Sequence, residues 1–333
     1  RRARGALQAQ VPKLRQPLMR TQRPAYWRYG GQAVIEGVMM RSPRYFAIAC
    51  RTPDGGMIVH AEPIEKTILG KLQFLNRPLL RGIFMLIDSL ALGIKSLHFS
   101  SQVQMQHDPQ IKPVSKPVQD IAIGASALGG FAIGIFLFFV LPTLLTDWLA
   151  REGWGATARN MVDGGLRIAI FLLYVGLIGL MPDIRRVFQY HGAEHKAINA
   201  LEEEGVVSVE AARRQTRLHP RCGTSFVLLV LILSIFVFAF LGRPPAYVRI
   251  PMHLALLPVI ASITYEIIRL AGMFKSGFLA RVLLAPGLWT QYLTTREPTD
   301  DQIEVAVAAL QKVCELEEGV PTTESVSEPA ESA

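Results

Sequence analysis

Along this chain the apolar residues gather into long runs rather than spreading evenly among polar ones. Ile121–Leu141, Gly164–Met181, Ser225–Leu241 and Met252–Ala271 each approach the roughly 20 mostly apolar residues that a bilayer core requires. The pattern predicts a membrane α-helical fold with about four transmembrane helices. The second run is short and carries Arg167 near its start, where a long basic side chain can snorkel to the interface. The fourth contains Pro258 and Glu266, which make it the least regular span. Apart from Glu266 the runs hold almost no polar residue that could line a path, so transport through them has little support.

Other patterns flank the runs. Residues 29–63 alternate in short apolar and β-branched stretches, broken by Ser42–Pro43 and by Pro53–Gly56, both good turn chemistry. They predict a small β-rich unit, too small to be stable without packing on something else. Residues 64–117 follow as a helix and a proline-marked linker, Asp108 to Pro117. In that helix Arg81, Asp88 and Lys95 recur every seven residues on one side, which suits a helix lying in the interface or packed on other helices. Residues 118–292 form the membrane domain, with a long polar loop at 182–224. Its last part, FLARVLLAPGLWTQYL, is broken by Pro286–Gly287 and reads as interfacial, with Trp289 and Tyr292 as anchors. Thr299 and Gln302 resemble a capping box that opens an amphipathic helix, Asp300–Glu317, within residues 293–318. The acidic tail 319–333 has too little apolar content to fold.

Composition agrees with the membrane reading. Half of the residues are apolar, the mean hydropathy is +0.28 and charged residues make up 19%, below the roughly 25% of soluble domains. The net charge of +8 lies entirely in residues 1–28, a basic arm with no acid and no apolar core. Such an arm is expected to be disordered beside anionic lipid or RNA and is not a signal peptide. The 182–224 loop is also rich in Lys and Arg, whereas the loops on the other side hold only Arg151 and Arg159, then Arg243 and Arg249. The positive-inside rule therefore places both termini and the long loop in the cytoplasm. Three scattered cysteines make no disulfide framework.

The long loop carries the chemistry. In YHGAEHKAIN, His191 and His195 stand at i and i+4, one turn apart on a helix face, so both imidazoles can reach one metal ion. Glu194 lies beside them as a base or as a partner to the ligands. At the end of the loop, LHPRCGTSF adds His219 and Cys222, and the two neighbouring spans bring both ends of the loop to one membrane face. Three imidazoles and a thiolate suit zinc, or ferrous iron, better than magnesium or calcium. Between the pairs, Ser208 can cap a short helix. Blander readings stay open: interfacial histidines bonding headgroups or carbonyls, and Cys222 as a small buried residue. A closed four-ligand site would be structural, whereas a catalytic site keeps one position open. In VIEGV, Glu36 alternates onto the strand face of Val34 and Val38, and there it either pairs with a basic group such as Arg41 or joins the metal site. Glu266 either serves a function inside the span or pairs with Arg269. His253 has no partner at ligand spacing.

Blocks GGQAVIEGVMMRSP at 30–43, YHGAEHKAINALE at 190–202, HPRCGTSF at 219–226, YEIIR at 265–269 and PGLWTQYLTTREPTDDQIEVAVAAL at 286–310 resemble the YqhQ-like family of bacterial membrane proteins, a domain-of-unknown-function family. The resemblance runs from about Tyr29 to Leu316 and implies a multi-span protein of the bacterial inner membrane. Proteins of this kind are catalogued, from their motifs, as metal-dependent enzymes. Glu36, His191, Glu194, His195, His219, Arg221 and Cys222 all fall in matching blocks, and no substrate is implied. Two functions follow. One is a zinc-dependent, hydrolase-like enzyme at the cytoplasmic membrane face, with His191, His195, His219 and Cys222 on the metal and Glu194 or Glu36 as base. The other is a metal-stabilised scaffold or assembly factor, holding other membrane proteins, the translocon or the ribosome through its basic arm. Neither needs sequence-specific recognition of nucleic acid.

Overall fold

The structure, a computed structural model, describes residues 29–64, 81–107, 116–150, 153–273 and 278–318. The basic arm, most of the Asp108–Pro117 linker and the acidic tail lie outside these residues. Four strands come first: β1 (Gly30–Val34), β2 (Gly37–Arg41), β3 (Tyr45–Arg51) and β4 (Met57–Pro63). The helices are α1 (Arg81–His107), α2 (Lys116–Ile135), α3 (Leu141–Leu149), α4 (Ala156–Ile178), α5 (Pro182–Glu203), α6 (Val209–Arg214), α7 (Gly223–Ala239), α8 (Ala246–Met273), α9 (Phe278–Thr294) and α10 (Asp300–Glu317). A π-helical turn, Phe136–Val140, joins α2 to α3.

The strands pair antiparallel in chain order, Val38 opposite Ala49 and Ile48 opposite His60. Two of their three turns fall at the Ser-Pro and Pro-Asp-Gly-Gly segments, the latter with Gly55 at φ 85°, where a Cβ would be strained. Strands buried on both faces read as near-continuous apolar runs, and β2 and β3 do so. On one face Val34, Met39, Phe46, Ile48 and Cys50 pack with Leu92 and Val103 of α1. On the other, Val38, Met40, Ala47 and Ala49 pack with Tyr190, Ala193 and Ala197 of α5 and with the apolar side of α10. This three-layer unit supplies the support that the small sheet lacks by itself.

Among the described residues, four helices are long and apolar enough to cross a membrane: Gly82–His107, Gly124–Leu149, Ala156–Ile178 and Ala246–Leu270. The number agrees with the sequence expectation, but the membership differs. α7 is apolar yet has only 17 residues, and α1 meets the length and hydropathy that the sequence pattern assigned to an interfacial or packed helix. Of the charged stripe of α1, Asp88 and Lys95 face the sheet, 2.8 Å from Arg41 and 2.5 Å from Glu62. Large apolar side chains such as Ile121, Leu128 and Phe131 of α2 are exposed, a surface that suits a lipid environment.

Three local expectations need correction. Arg167 does not snorkel; it is 2% exposed and pairs with Asp163 at 2.7 Å. The spans therefore do hold buried polar groups, and His253 is among them, its Nδ1 accepting from Arg167 at 2.9 Å. The helix α9 also continues through Pro286. Gly287 brings it against α7 so closely that a Cβ there would lie 2.5 Å from the Ser225 side chain, and this packing holds the helix across the missing N–H.

Candidate metal centre

α5 begins with Pro182 in its first turn and Asp183 near its N-terminus, both favourable there, and it is polar where the neighbouring helices are apolar. His191, His195, Asn199 and Glu202 follow at spacings of four, four and three, so they form one stripe along its surface. The opposite side of α5 packs on the sheet and on α10. Gly192 lets the chain after α9 cross that helix: a Cβ there would stand 2.2 Å from the Arg296 carbonyl oxygen.

The stripe meets the segment 215–222, which has little regular structure and is fastened from two sides. Asn199 donates to the carbonyls of Thr216 at 2.8 Å and Leu218 at 3.1 Å. From α9, Gln291 accepts from the His219 N–H at 2.8 Å and donates to the His219 carbonyl at 2.7 Å and to Ser225 Oγ at 2.8 Å. Arg217 reaches the Thr295 carbonyl. Cys222 thus arrives at the N-cap of α7, where the positive end of the helix dipole favours a thiolate. The short helix α6 between the two halves has Ser208 accepting from the Ala211 N–H at 3.1 Å, the cap its sequence predicts.

His191 Nδ1 lies 2.9 Å from the Thr294 carbonyl oxygen, and His195 Nδ1 lies 2.6 Å from that of Arg217. A carbonyl only accepts, so each ring carries its proton on Nδ1 and turns Nε2 inward. His191 Nε2 is 3.1 Å from Cys222 Sγ, and the two rings are 4.4 Å apart. One donor atom each from His191, His195 and Cys222 lies within 4.8 Å of the others, a set that can hold a metal ion. Two imidazole nitrogens and a thiolate, each imidazole oriented by a carbonyl, are a donor set of the kind that holds a metal ion. Burial opposes charge at this spot, yet the Cys222 thiol is held well below its usual range, chiefly by the charge and the hydrogen bond of His191. His191 in turn is raised to about 9, burial being outweighed by the sulfur beside it. The proton that His191 and Cys222 share is the one a cation would displace.

The remaining predicted residues stand around this group. The His219 ring is 5.6 Å from that of His195, outside the three-donor set. Its Nδ1 accepts from the Arg221 N–H at 3.4 Å, and its Nε2 faces Glu202 at 3.7 Å, too far for a hydrogen bond but close enough for a charge to be felt. Glu202 also binds Arg221. Glu194 is 5% exposed; burial raises its carboxyl above the ordinary range, against the pull of His195, His191 and the Gly31 N–H. Glu36 is not on a strand face. It occupies the turn between β1 and β2 at φ 50°, and its carboxylate is bound by two nitrogens of Arg186 and by the Tyr190 hydroxyl at 3.3 Å. The turn lifts it off the pleat, so strand alternation does not apply there.

Sequence reasoning missed Asn199, Glu202, Gln291 and the two carbonyls. The stripe on α5 was readable from spacing; the carbonyls carry no residue signature.

The family model of a protein of unknown function, DUF1385, matches residues 77–316. The chain belongs to the DUF1385 family. The uncharacterized protein YqhQ of Bacillus subtilis (strain 168) is 34% identical over 298 residues, covering 87% of this chain and 93% of that protein. The resemblance read from the motifs is therefore correct as to family. No solved structure matches the chain. For this DUF1385 member the candidate chemistry rests on the residues themselves.

Proposed function

We propose that this protein is an integral membrane protein of the bacterial inner membrane. In this reading its β-sheet unit and termini are cytoplasmic, and it is a zinc-dependent hydrolase acting on a peptide or lipid-linked substrate at the membrane face. One observation carries the metal part: two imidazoles with Nδ1 tied to the Thr294 and Arg217 carbonyls turn their Nε2 atoms toward one buried thiol. Three donors are also the number a catalytic zinc site uses, with a fourth position left for water or substrate. Zinc supplies Lewis acidity when bound. The protein's own residues do the rest. His191, His195 and Cys222 hold the cation, and Glu194, fixed by the Gly31 N–H, holds or releases a proton beside it. His219 stands beside the donors, its backbone held by Gln291.

The test is metal content of the purified chain with its X-ray absorption spectrum. The wild type is expected to carry about one zinc per chain, and His195→Ala and Cys222→Ser to lose it at least tenfold. Glu194→Gln should keep the metal yet fail to replace the native protein in cells that lack it. Metal-free wild type, or His195→Ala with full metal, overturns the reading.

A structural metal in a scaffold is the second reading. It is favoured by the burial of the donors, His195 at 1% and Cys222 at 6% exposure. Such a protein would use the metal to pin segment 215–222 and would hold other membrane proteins through its surface and basic arm. Four protein donors in the absorption spectrum support this reading; three with one lighter atom support the enzyme.

A further inference from the structure

α7 starts at the metal centre and ends in a second polar cluster. Its 17 residues rise by about 25 Å, so the two lie near opposite ends of the helix bundle. At the far end Asp147 of α3 binds Arg243 at 2.6 Å and Arg249 at 2.8 Å. Arg243 also donates to Asn160 Oδ1 at 3.2 Å, and Asn160 donates to the carbonyls of Phe238 and Gly242 at 2.9 Å each, which closes the end of α7. Deeper in, Asp163 pairs with Arg167, and Arg167 donates to His253, whose accepting Nδ1 makes that ring neutral.

The charges do not cancel. Among the described residues, three guanidinium groups, those of Arg167, Arg243 and Arg249, are paired with two carboxylates, those of Asp163 and Asp147. Arg249 and Arg243 are 3% and 9% exposed at the side chain, and the Nε–H of each has no hydrogen-bond partner among the described residues. Two buried cations that share one partly exposed carboxylate are left one negative charge short, and unbalanced buried charge is unfavourable, so an anion would complete the cluster. Asp147, 43% exposed, is the only carboxylate shared by both arginines among the described residues, and it sits at the mouth. Around that mouth Trp148, Phe240 and Tyr247 are 80%, 89% and 79% exposed. Exposed aromatics beside buried arginines mark headgroup depth, where phosphate is the abundant anion.

We propose that Arg243 and Arg249 bind the phosphate of an anionic phospholipid headgroup, with Asp147 as the internal carboxylate that yields to it. This rests on the membrane-insertion part of the functional reading and is independent of the metal. Guanidinium groups recognise phosphate through paired N–H donors, and the unpartnered Nε–H of each arginine, with the Nη2 that Asp147 gives up as it yields, would supply such a pair.

The full chain in detergent is titrated with phosphatidylglycerol, phosphatidylcholine or inorganic phosphate, and bound lipid is counted by native mass spectrometry. Phosphatidylglycerol is expected to bind at least fivefold tighter than phosphatidylcholine. Arg249→Gln should weaken it about tenfold, the loss of one charge-assisted contact. Asp147→Asn, at an exposed position, should tighten it and should regain its thermal stability when the lipid is added. Equal binding of the two lipids, wild-type affinity in Arg249→Gln, or no gain in Asp147→Asn overturns the proposal. Displacement of phosphatidylglycerol by millimolar inorganic phosphate overturns the lipid source in favour of a free anion. Release of the chain from membranes by alkaline carbonate would instead sink the insertion reading, and unchanged zinc in both variants keeps the metal centre separate.

Discussion

Single atoms decide the candidate centre. His191 and His195 are at ligand spacing in many helices, but here each has its Nδ1 proton committed to a carbonyl, so only Nε2 is left to coordinate. Asn199 maintains one of those carbonyls by tying Thr216 and Leu218 to α5. Replacing Asn199 with Ala is expected to weaken metal affinity by about 10- to 100-fold while the fold persists, since partners behind ligands act at that scale; competition with a chromophoric chelator measures it. Gly192→Ala is expected to be harsher. A Cβ 2.2 Å from the Arg296 oxygen meets backbone that must shift, costing about 1–3 kcal/mol, and thermal unfolding would show the loss. The motif HGAEH was legible as two donors and an acid. That its glycine is a crossing point for another segment was not, because nothing in the local sequence mentions residue 296.

At the scale of elements, the stripe on α1 shows how a pattern can be visible and its partner hidden. Arg81, Asp88 and Lys95 mark one side of the helix, and the structure gives Asp88 to Arg41 and Lys95 to Glu62. Glu62 on β4 is partly buried, which alone would raise its carboxyl, yet hydrogen bonds from Lys95 and His60 hold it below the ordinary range. A lowered folded value stabilises the protein above the unfolded carboxylate range, and that contribution disappears as pH falls through the folded value. Acidification should therefore loosen the contact between α1 and β4, seen as lower amide protection factors in β4, relative to intrinsic exchange at each pH. In Glu62→Gln the protection of the same segment is expected to be independent of pH over that window. The capping residues were fully legible, since a cap is local: Thr299 N–H donates to Gln302 Oε1 at 3.0 Å and opens α10 where the sequence places it.

Over the whole molecule, two polar regions are joined through an apolar bundle. The candidate donors lie on the side of α5 that meets segment 215–222, and the arginine cluster lies at the distal turns. Asp163 and Arg167 are buried between them at 3% and 2% exposure. Arg167→Leu leaves the Asp163 carboxylate without its partner and is expected to cost about 3–5 kcal/mol in detergent unfolding, whereas Asp163→Leu with Arg167→Leu should cost much less, because breaking a buried pair is worse than removing it. Equal losses in both variants would show that the pair contributes through packing alone.

Hydropathy, spacing and motif blocks, read along the chain, determined the helical class, the existence of a small sheet, the candidate donor pairs 191/195 and 219/222, and the family. These depend on interactions within a few residues or on the energy of moving a segment out of water, both of which composition reports. Tertiary structure alone decided that His219 stands beside the donor set, that Glu36 is spent on Arg186 and Tyr190, and that Arg167 is buried with Asp163 and His253. Each of those depends on which distant segment supplies a carbonyl, a counter-charge or a close approach, and such pairings exist only after the helices have packed.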